Sequence, residues 1–207
     1  MKRRIVLLGD SIRLIGYGEP VAQRLSDDFE VWQPESNCRF AKHTLRELFN
    51  WASKIEGCDI IHWNNGLWDV CDLFGDGPFT PLDTYVEEML RLAELLKKRT
   101  RVLIFATTTP VREENPYNDN ATIAAYNEAL VPRLQAMGVQ INDLFTPVSA
   151  DIPRYIRADD LIHLTEEGIV LCTELVEKAI RVAANGSCET KVAHKTDNGV
   201  AVNGAPI

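Results

Sequence analysis

The chain has 207 residues, 45% of them apolar, five cysteines, four histidines and a formal net charge of −8. That length suits one domain with a sizeable core, and an acidic, mixed-sign balance without a basic stripe argues against nucleic acid or an anionic membrane surface as a partner. No apolar run approaches membrane-spanning length, the four apolar residues after Met1-Lys2-Arg3-Arg4 are too few for a signal peptide, and an odd number of cysteines without metal-ligand spacing points to free thiols in a reducing cytoplasm.

Along the chain, short apolar strands alternate with longer helical patterns. Arg4 to Leu8 reads as a first strand, with the buried run Ile5-Val6-Leu7-Leu8 ending at Gly9-Asp10-Ser11-Ile12. Glu19 to Leu25 reads as a helix with Pro20 in its first turn, and Glu30 to Gln33 as a second strand. His43 to Ile55 is a helical pattern, stopped by Gly57 before a third strand over Asp59 to Trp63. Pro81 suits the first turn of a helix over Leu82 to Lys97, and Val102 to Thr107 reads as a fourth strand. Ala121 to Met137 is helical, Gly138 is its stop, and Val139 to Ile141 is the last strand before a helix over Thr165 to Ala184.

This order predicts an α/β domain over residues 1–184, a parallel sheet with helices on both faces. Residues 185–207 are a polar tail, expected to be mobile, in which Asn198-Gly199 would also suit a hairpin between Val192-Ala193 and Val200-Ala201-Val202. Ligands in such sheets bind beyond the carboxyl ends of the strands, and Ser11, Cys38, Asn64 and Thr108 each follow one.

Three residues there form a chemical set. A serine hydroxyl is a poor nucleophile at neutral pH and needs a base within reach, which in turn needs an anion to fix its tautomer. Ser11, His163 and Asp160 fit these roles, the last two spaced in Asp160-Leu161-Ile162-His163. Each has a plainer reading: Gly-Asp-Ser is a good helix cap, and Asp160 and His163 could form a pair at a helix start. Asp159 is assigned to a solvated turn. His43, His62 and His194 have no metal-ligand spacing, Gly16-Tyr17-Gly18 lacks the third glycine of a dinucleotide loop, and no serine lies in a Gly-x-Ser-x-Gly elbow.

Gly9-Asp10-Ser11, the Asn64 loop and Asp160-x-x-His163 together resemble the SGNH hydrolases, also called GDSL esterases and lipases, over residues 4 to about 180. The resemblance implies a flavodoxin-like three-layer α/β/α sandwich around a five-stranded parallel sheet. It implies a serine esterase acting through an acyl-enzyme, with no metal or organic cofactor. Small-molecule or carbohydrate esters, acetylated sugars among them, are the implied substrates. It also implies an oxyanion hole from the Ser11 N–H, the Cys38 N–H and the Asn64 side chain. The sequence departs from the family where Cys38 stands at a glycine position and where His62-Trp63-Asn64-Asn65 replaces the usual Gly-x-Asn-Asp, with His62 at the glycine, which leaves Asn65 as a competing donor.

Trp63 and Trp68 flank that loop and either contact a sugar ring or pack internally. Arg13 either attracts an anionic group or pairs with a nearby acid. The stretches Leu73 to Pro81 and Thr107 to Asn120 are either a pocket rim or surface connections. The same triad could pass its acyl group to a sugar or amine, as a transferase, or survive as a remnant in a ligand-binding module.

Overall fold

Five parallel strands, β1 (Arg3–Leu8), β2 (Phe29–Trp32), β3 (Cys58–Trp63), β4 (Thr100–Ala106) and β5 (Gln140–Asn142), form one sheet in the order β2-β1-β3-β4-β5. The computed structural model describes residues 2–193, with side chains through residue 186. In β1, Ile5, Val6, Leu7 and Leu8 are at most 1% exposed, as expected of a strand covered on both faces. Ile5 is in register with Val31 of β2 on one side and Ile60 of β3 on the other, so the centre of the sheet is aliphatic.

Helices α1 (Gly18–Leu25) and α9 (Glu166–Ala193) pack together on one face, α9 also against β3, β4 and β5. Helices α2 (Ala41–Asn50), α5 (Leu82–Lys97) and α6 (Asn120–Ala136) pack in sequence on the other. The stripe in α5 is Tyr85, Val86, Met89, Leu92, Ala93 and Leu96, all buried and at the spacing of one helix face. Asp119 caps α6, its side chain accepting the Thr122 N–H at 2.9 Å. Gly57 and Gly138 take φ of 68° and 76°, the left-handed conformation that ends a helix before the next strand.

The three-layer α/β/α architecture and all five expected strands are present, within one or two residues at each end. The single helix read over His43 to Ile55 is two pieces, α2 and α3 (Ala52–Ile55), because Trp51 leaves helical geometry at φ −90°, ψ 3°. Its ring is thereby packed edge-on against Trp32, 6.4 Å between centroids, and burial of the indole outweighs one more turn of continuous helix. Helix α9 continues through Ala193 and so takes in the start of the segment read as a tail; the Asn198-Gly199 turn lies outside the described residues.

The order β2-β1-β3-β4-β5 changes direction between β1 and β3. That is the topological switch point, where the connections diverge to opposite faces and open a crevice at the carboxyl ends. Ser11 and Asn64 follow the two strands that flank it.

Candidate active site at the switch point

Gly9 leaves β1 against Asn64, so closely that a Cβ there would lie 2.0 Å from Asn64 Oδ1 and 2.7 Å from Arg13 Cβ. Only glycine fits. The chain turns helical at Ser11, which is partly exposed, so the serine sits at the positive end of a helical segment. That segment includes a π turn, Arg13–Tyr17, before α1. The wider turn sends both Arg13 and Tyr17 inward, at 1% and 0% exposure.

Arg13 is turned into the protein, 1% exposed. Its Nη1 donates to Gln33 Oε1 and Pro34 O at 3.2 and 2.9 Å, and its Nη2 to Gly9 O and Ser36 O at 3.2 and 2.8 Å. The expectation of a substrate-facing Arg13 is therefore corrected. Its guanidinium is an internal clamp, holding the chain after β2 against the end of β1.

Cys38 joins the same clamp. Its N–H donates to Gly9 O at 3.0 Å while its Sγ accepts the Gly9 N–H at 3.1 Å. The N–H assigned to an oxyanion is thus engaged inside the protein. Burial pushes the thiol up to about 11, so Cys38 is not a reactive thiolate at neutral pH. The left-handed backbone of this loop falls one residue later, at Arg39 with φ 53°, whose N–H is held by Asn37 Oδ1 at 2.7 Å.

The two asparagines after β3 have different partners. Asn65 is fully buried: its Oδ1 accepts Trp63 Nε1–H at 2.6 Å and Thr44 Oγ1–H at 3.1 Å, and its Nδ2 donates to Arg39 O at 2.6 Å. Its side chain is consumed in holding loops together. Asn64 instead gives its Oδ1 to the Tyr17 hydroxyl at 2.7 Å, which turns the amide nitrogen away from that bond. Beside it, Asp10 is 1% exposed, with Oδ1 accepting the Ile12 N–H at 2.9 Å and Oδ2 without a hydrogen-bond partner among the described residues. Burial raises the Asp10 carboxyl above the ordinary range, while Asn64, the Ile12 N–H, Arg13 and His163 pull it down.

His163 lies on the connection into α9. His163 Nδ1 is 3.0 Å from Asp160 Oδ2, and Asp160 Oδ1 accepts the backbone N–H of His163 at 2.9 Å and of Ile162 at 3.1 Å. Burial raises the Asp160 carboxyl, but the backbone N–H groups and the His163 ring prevail and hold it below its ordinary value. The turn needs Leu161 at φ 66°, and its strain is held by Arg112 N–H donating to Leu161 O at 3.0 Å and Arg157 N–H to His163 O at 2.8 Å. Asp159 turns outward to Arg157, whose guanidinium lowers its carboxyl to about 2. The loop rests on the π turn, since a Cβ at Gly16 would stand 3.3 Å from Leu164 Cδ1.

Trp63 is 0% exposed, its ring 5.1 Å from that of Phe105, so it belongs to the core and its expected substrate contact is corrected. Trp68, on α4 (Leu67–Val70), is 39% exposed. The loops after β3 and β4 are tied together by Asp72 N–H to Tyr117 O at 2.7 Å and Asn118 Nδ2 to Leu67 O at 3.0 Å. They expose Leu73, Phe74, Phe79 and Tyr117.

Sequence reasoning missed Tyr17, His62 and Asp69 as parts of this region. His62 stacks edge-on to Tyr17 at 5.7 Å, takes a 3.1 Å contact from Asn142 Nδ2 on its Nε2, and is held to about 3 by burial, so it is neutral. Asp69 accepts the Ala41 N–H at the start of α2 and the Thr80 hydroxyl, and burial raises it to about 7. Tyr17 stood in the Gly-Tyr-Gly triplet, whose pattern pointed elsewhere. His62 and Asp69 alternate with apolar residues and carry no signal of their own.

No family model matches the chain. It is 26% identical over 168 residues to the GDSL esterase/lipase WDL1 of Oryza sativa subsp. japonica, a match that covers 73% of this chain and 64% of that protein. The chain thus spans less than two thirds of that relative's length. Among solved structures, the acetyl xylan esterase AlAXEase aligns with a TM-score of 0.72 at 18% identity, covering 86% of this chain and 99% of its own. A lipase/acylhydrolase from Enterococcus faecalis aligns at 0.72 and 18%, covering 86% and 95%. The acetylxylan esterase Axe2 from Geobacillus stearothermophilus aligns at 0.69 and 14%, covering 85% and 93%. In sequence and in fold, the chain resembles the SGNH, or GDSL, hydrolases.

Proposed function

We propose that the protein is a serine esterase working through an acyl-enzyme, with Ser11 as nucleophile, His163 as general base and Asp160 as its orienting anion. The observation that carries this reading is the Asp160–His163 pair, 3.0 Å apart at Nδ1, with the carboxylate further held by two backbone N–H groups. A proton on Nδ1 facing Asp160 leaves Nε2 as the basic nitrogen. Ser11 Oγ attacks the acyl carbon and passes its proton to Nε2. The charge that gathers on the carbonyl oxygen is met by the Ser11 N–H, at a helix start, and by the amide nitrogen of Asn64. The intermediate collapses, and the alcohol leaves with the proton from Nε2. Water, deprotonated by His163 Nε2, then attacks the acyl-serine; the acyl–Oγ bond breaks, His163 returns the proton to Ser11 Oγ, and the acid is released.

For substrate, the reading favours acetyl esters of carbohydrates. Its support is the half-exposed Trp68 beside the Asn64 loop, the rim formed by the tied loops after β3 and β4, and the acetyl xylan esterases among proteins of the same fold. Among the described residues, Cys38, Cys58, Cys71 and Cys172 are unpaired, which supports a reducing cytoplasm as the place of action. Among the described residues, no helix is long and apolar enough to cross a membrane.

The test is hydrolysis of p-nitrophenyl acetate and of acetylated xylo-oligosaccharides by the wild type and Ser11→Ala. Turnover that Ser11→Ala abolishes, in a variant of unchanged melting temperature, is expected; equal turnover by both proteins would overturn the assignment.

A further inference from the structure

We propose that Tyr17 is a positioning residue for the reaction, fixing which end of the Asn64 carboxamide faces the developing oxyanion; the inference rests on the esterase reading above. A carboxamide has a donor end and an acceptor end of nearly equal size, and only the NH2 end can stabilise an oxyanion. A residue free to flip would spend part of its time with oxygen toward oxygen, raising the barrier rather than lowering it.

The hydrogen-bond partner of the Asn64 side chain decides the orientation. Tyr17 is 0% exposed and its hydroxyl has Asn64 Oδ1 as its acceptor, at 2.7 Å. In the flipped state that hydroxyl would face NH2, and its own proton would be buried without an acceptor, an outcome of high free energy. The Tyr17 hydroxyl thus selects one orientation. Gly9 leaves room for it, since a Cβ there would overlap Asn64 Oδ1 at 2.0 Å.

Tyr17 is itself fixed by two devices. The π turn Arg13–Tyr17, with Gly16 at φ −113°, ψ −108°, inserts the extra residue that brings the ring inward from the segment carrying Ser11. The neutral His62 ring then meets it edge-on, 5.7 Å away at 86°. The nucleophile and the residue that orients the oxyanion donor therefore belong to one segment of chain, six positions apart in sequence.

The experiment is a double-mutant cycle with Tyr17→Phe and Asn64→Ala, read as kcat and KM on p-nitrophenyl acetate beside melting temperature. Asn64→Ala is expected to lower kcat by roughly 10²–10³. Tyr17→Phe is expected to lower it about tenfold to a hundredfold with KM within about twofold, because only geometry at the reacting centre changes. Added to Asn64→Ala, Tyr17→Phe is expected to do nothing further to kcat. 4-Aminophenylalanine at position 17, which restores a donor, should recover most of the lost rate even if Tyr17→Phe folds poorly. A kcat for Tyr17→Phe within about twofold of wild type, or the same loss repeated in the Asn64→Ala background, would overturn the positioning role. Wild-type protein without Ser11-dependent turnover would instead overturn the esterase reading, and this inference with it.

Discussion

Beneath Ser11 the polar groups are buried, with Asp10, Arg13, Tyr17 and Asn64 at most 4% exposed, whereas the Asp160 and His163 side chains are 32% and 23% exposed. The first region is assembled across the fold: Arg13, on the segment after β1, holds carbonyls in the chain after β2, and Asn64, after β3, meets Tyr17. The second is a four-residue turn in which Asp160 accepts two N–H groups from its own loop. The contrast teaches where stability and chemistry separate. Changes under the nucleophile disturb both, and changes in the histidine turn disturb chemistry with little effect on the fold.

Asp160→Asn breaks the comparison most sharply. An amide in place of the carboxylate is expected to lower kcat by roughly 10³–10⁴ by removing the anion that fixes the His163 tautomer. The melting temperature should barely move, and Asp159→Asn, one residue away on the exposed side, should leave kcat within about twofold and the melting temperature unchanged. Steady-state kinetics and thermal melting of the two variants read both.

Arg13→Met tests the other half. The carbonyls of Pro34 and Ser36 lose the donors that hold them, and the change is expected to destabilise by roughly 3 kcal/mol or more, measurable by urea unfolding. Loss of activity should follow loss of structure, because the same guanidinium holds Gly9 O two residues before Ser11. A stable, fully active Arg13→Met protein would remove the clamp from the account.

Asp69 sharpens the comparison through pH. Its carboxyl is raised to about 7 by burial, so the folded protein holds a proton that the unfolded chain gives up near the ordinary carboxylate value. The stability it contributes is complete below about pH 4 and declines as pH rises towards 7, by up to about 4 kcal/mol. Asp69→Asn is expected to flatten stability across that window, raising the protein's stability at pH 8 relative to wild type. Urea unfolding at pH 4.5, 6 and 8 gives the comparison; an unchanged pH profile would contradict it.

The strands and helices were legible because apolar periodicity and the glycine and proline stops agree with the packing, down to Gly57 and Gly138 in left-handed conformation. Trp51 was not, since nothing local says that a tryptophan in a helical pattern finds Trp32 across the fold. Within the site, the Asp160–His163 contact and the outward Asp159 were legible from the Asp-x-x-His spacing, and the place of Ser11 beyond β1 from the end of an apolar strand. Arg13, Trp63 and Cys38 were not. A charged, an aromatic and a thiol side chain near a strand end look alike whether they face a ligand or the interior, and the partners that turned them inward, Pro34 and Ser36 carbonyls, Asn65 and Gly9, are set by loop geometry. Asn64 and Asn65 could be told apart only by what already occupied their side chains.

The most direct measurement is intact-mass analysis after reaction with a fluorophosphonate, which captures a serine only when a neighbouring base activates it. One adduct on the wild-type protein, mapped to Ser11 by peptide sequencing and absent from a folded Ser11→Ala variant, is the predicted result. A folded wild-type protein that takes up no adduct, or takes it up at another residue, would contradict the assignment of Ser11 and His163 as nucleophile and base.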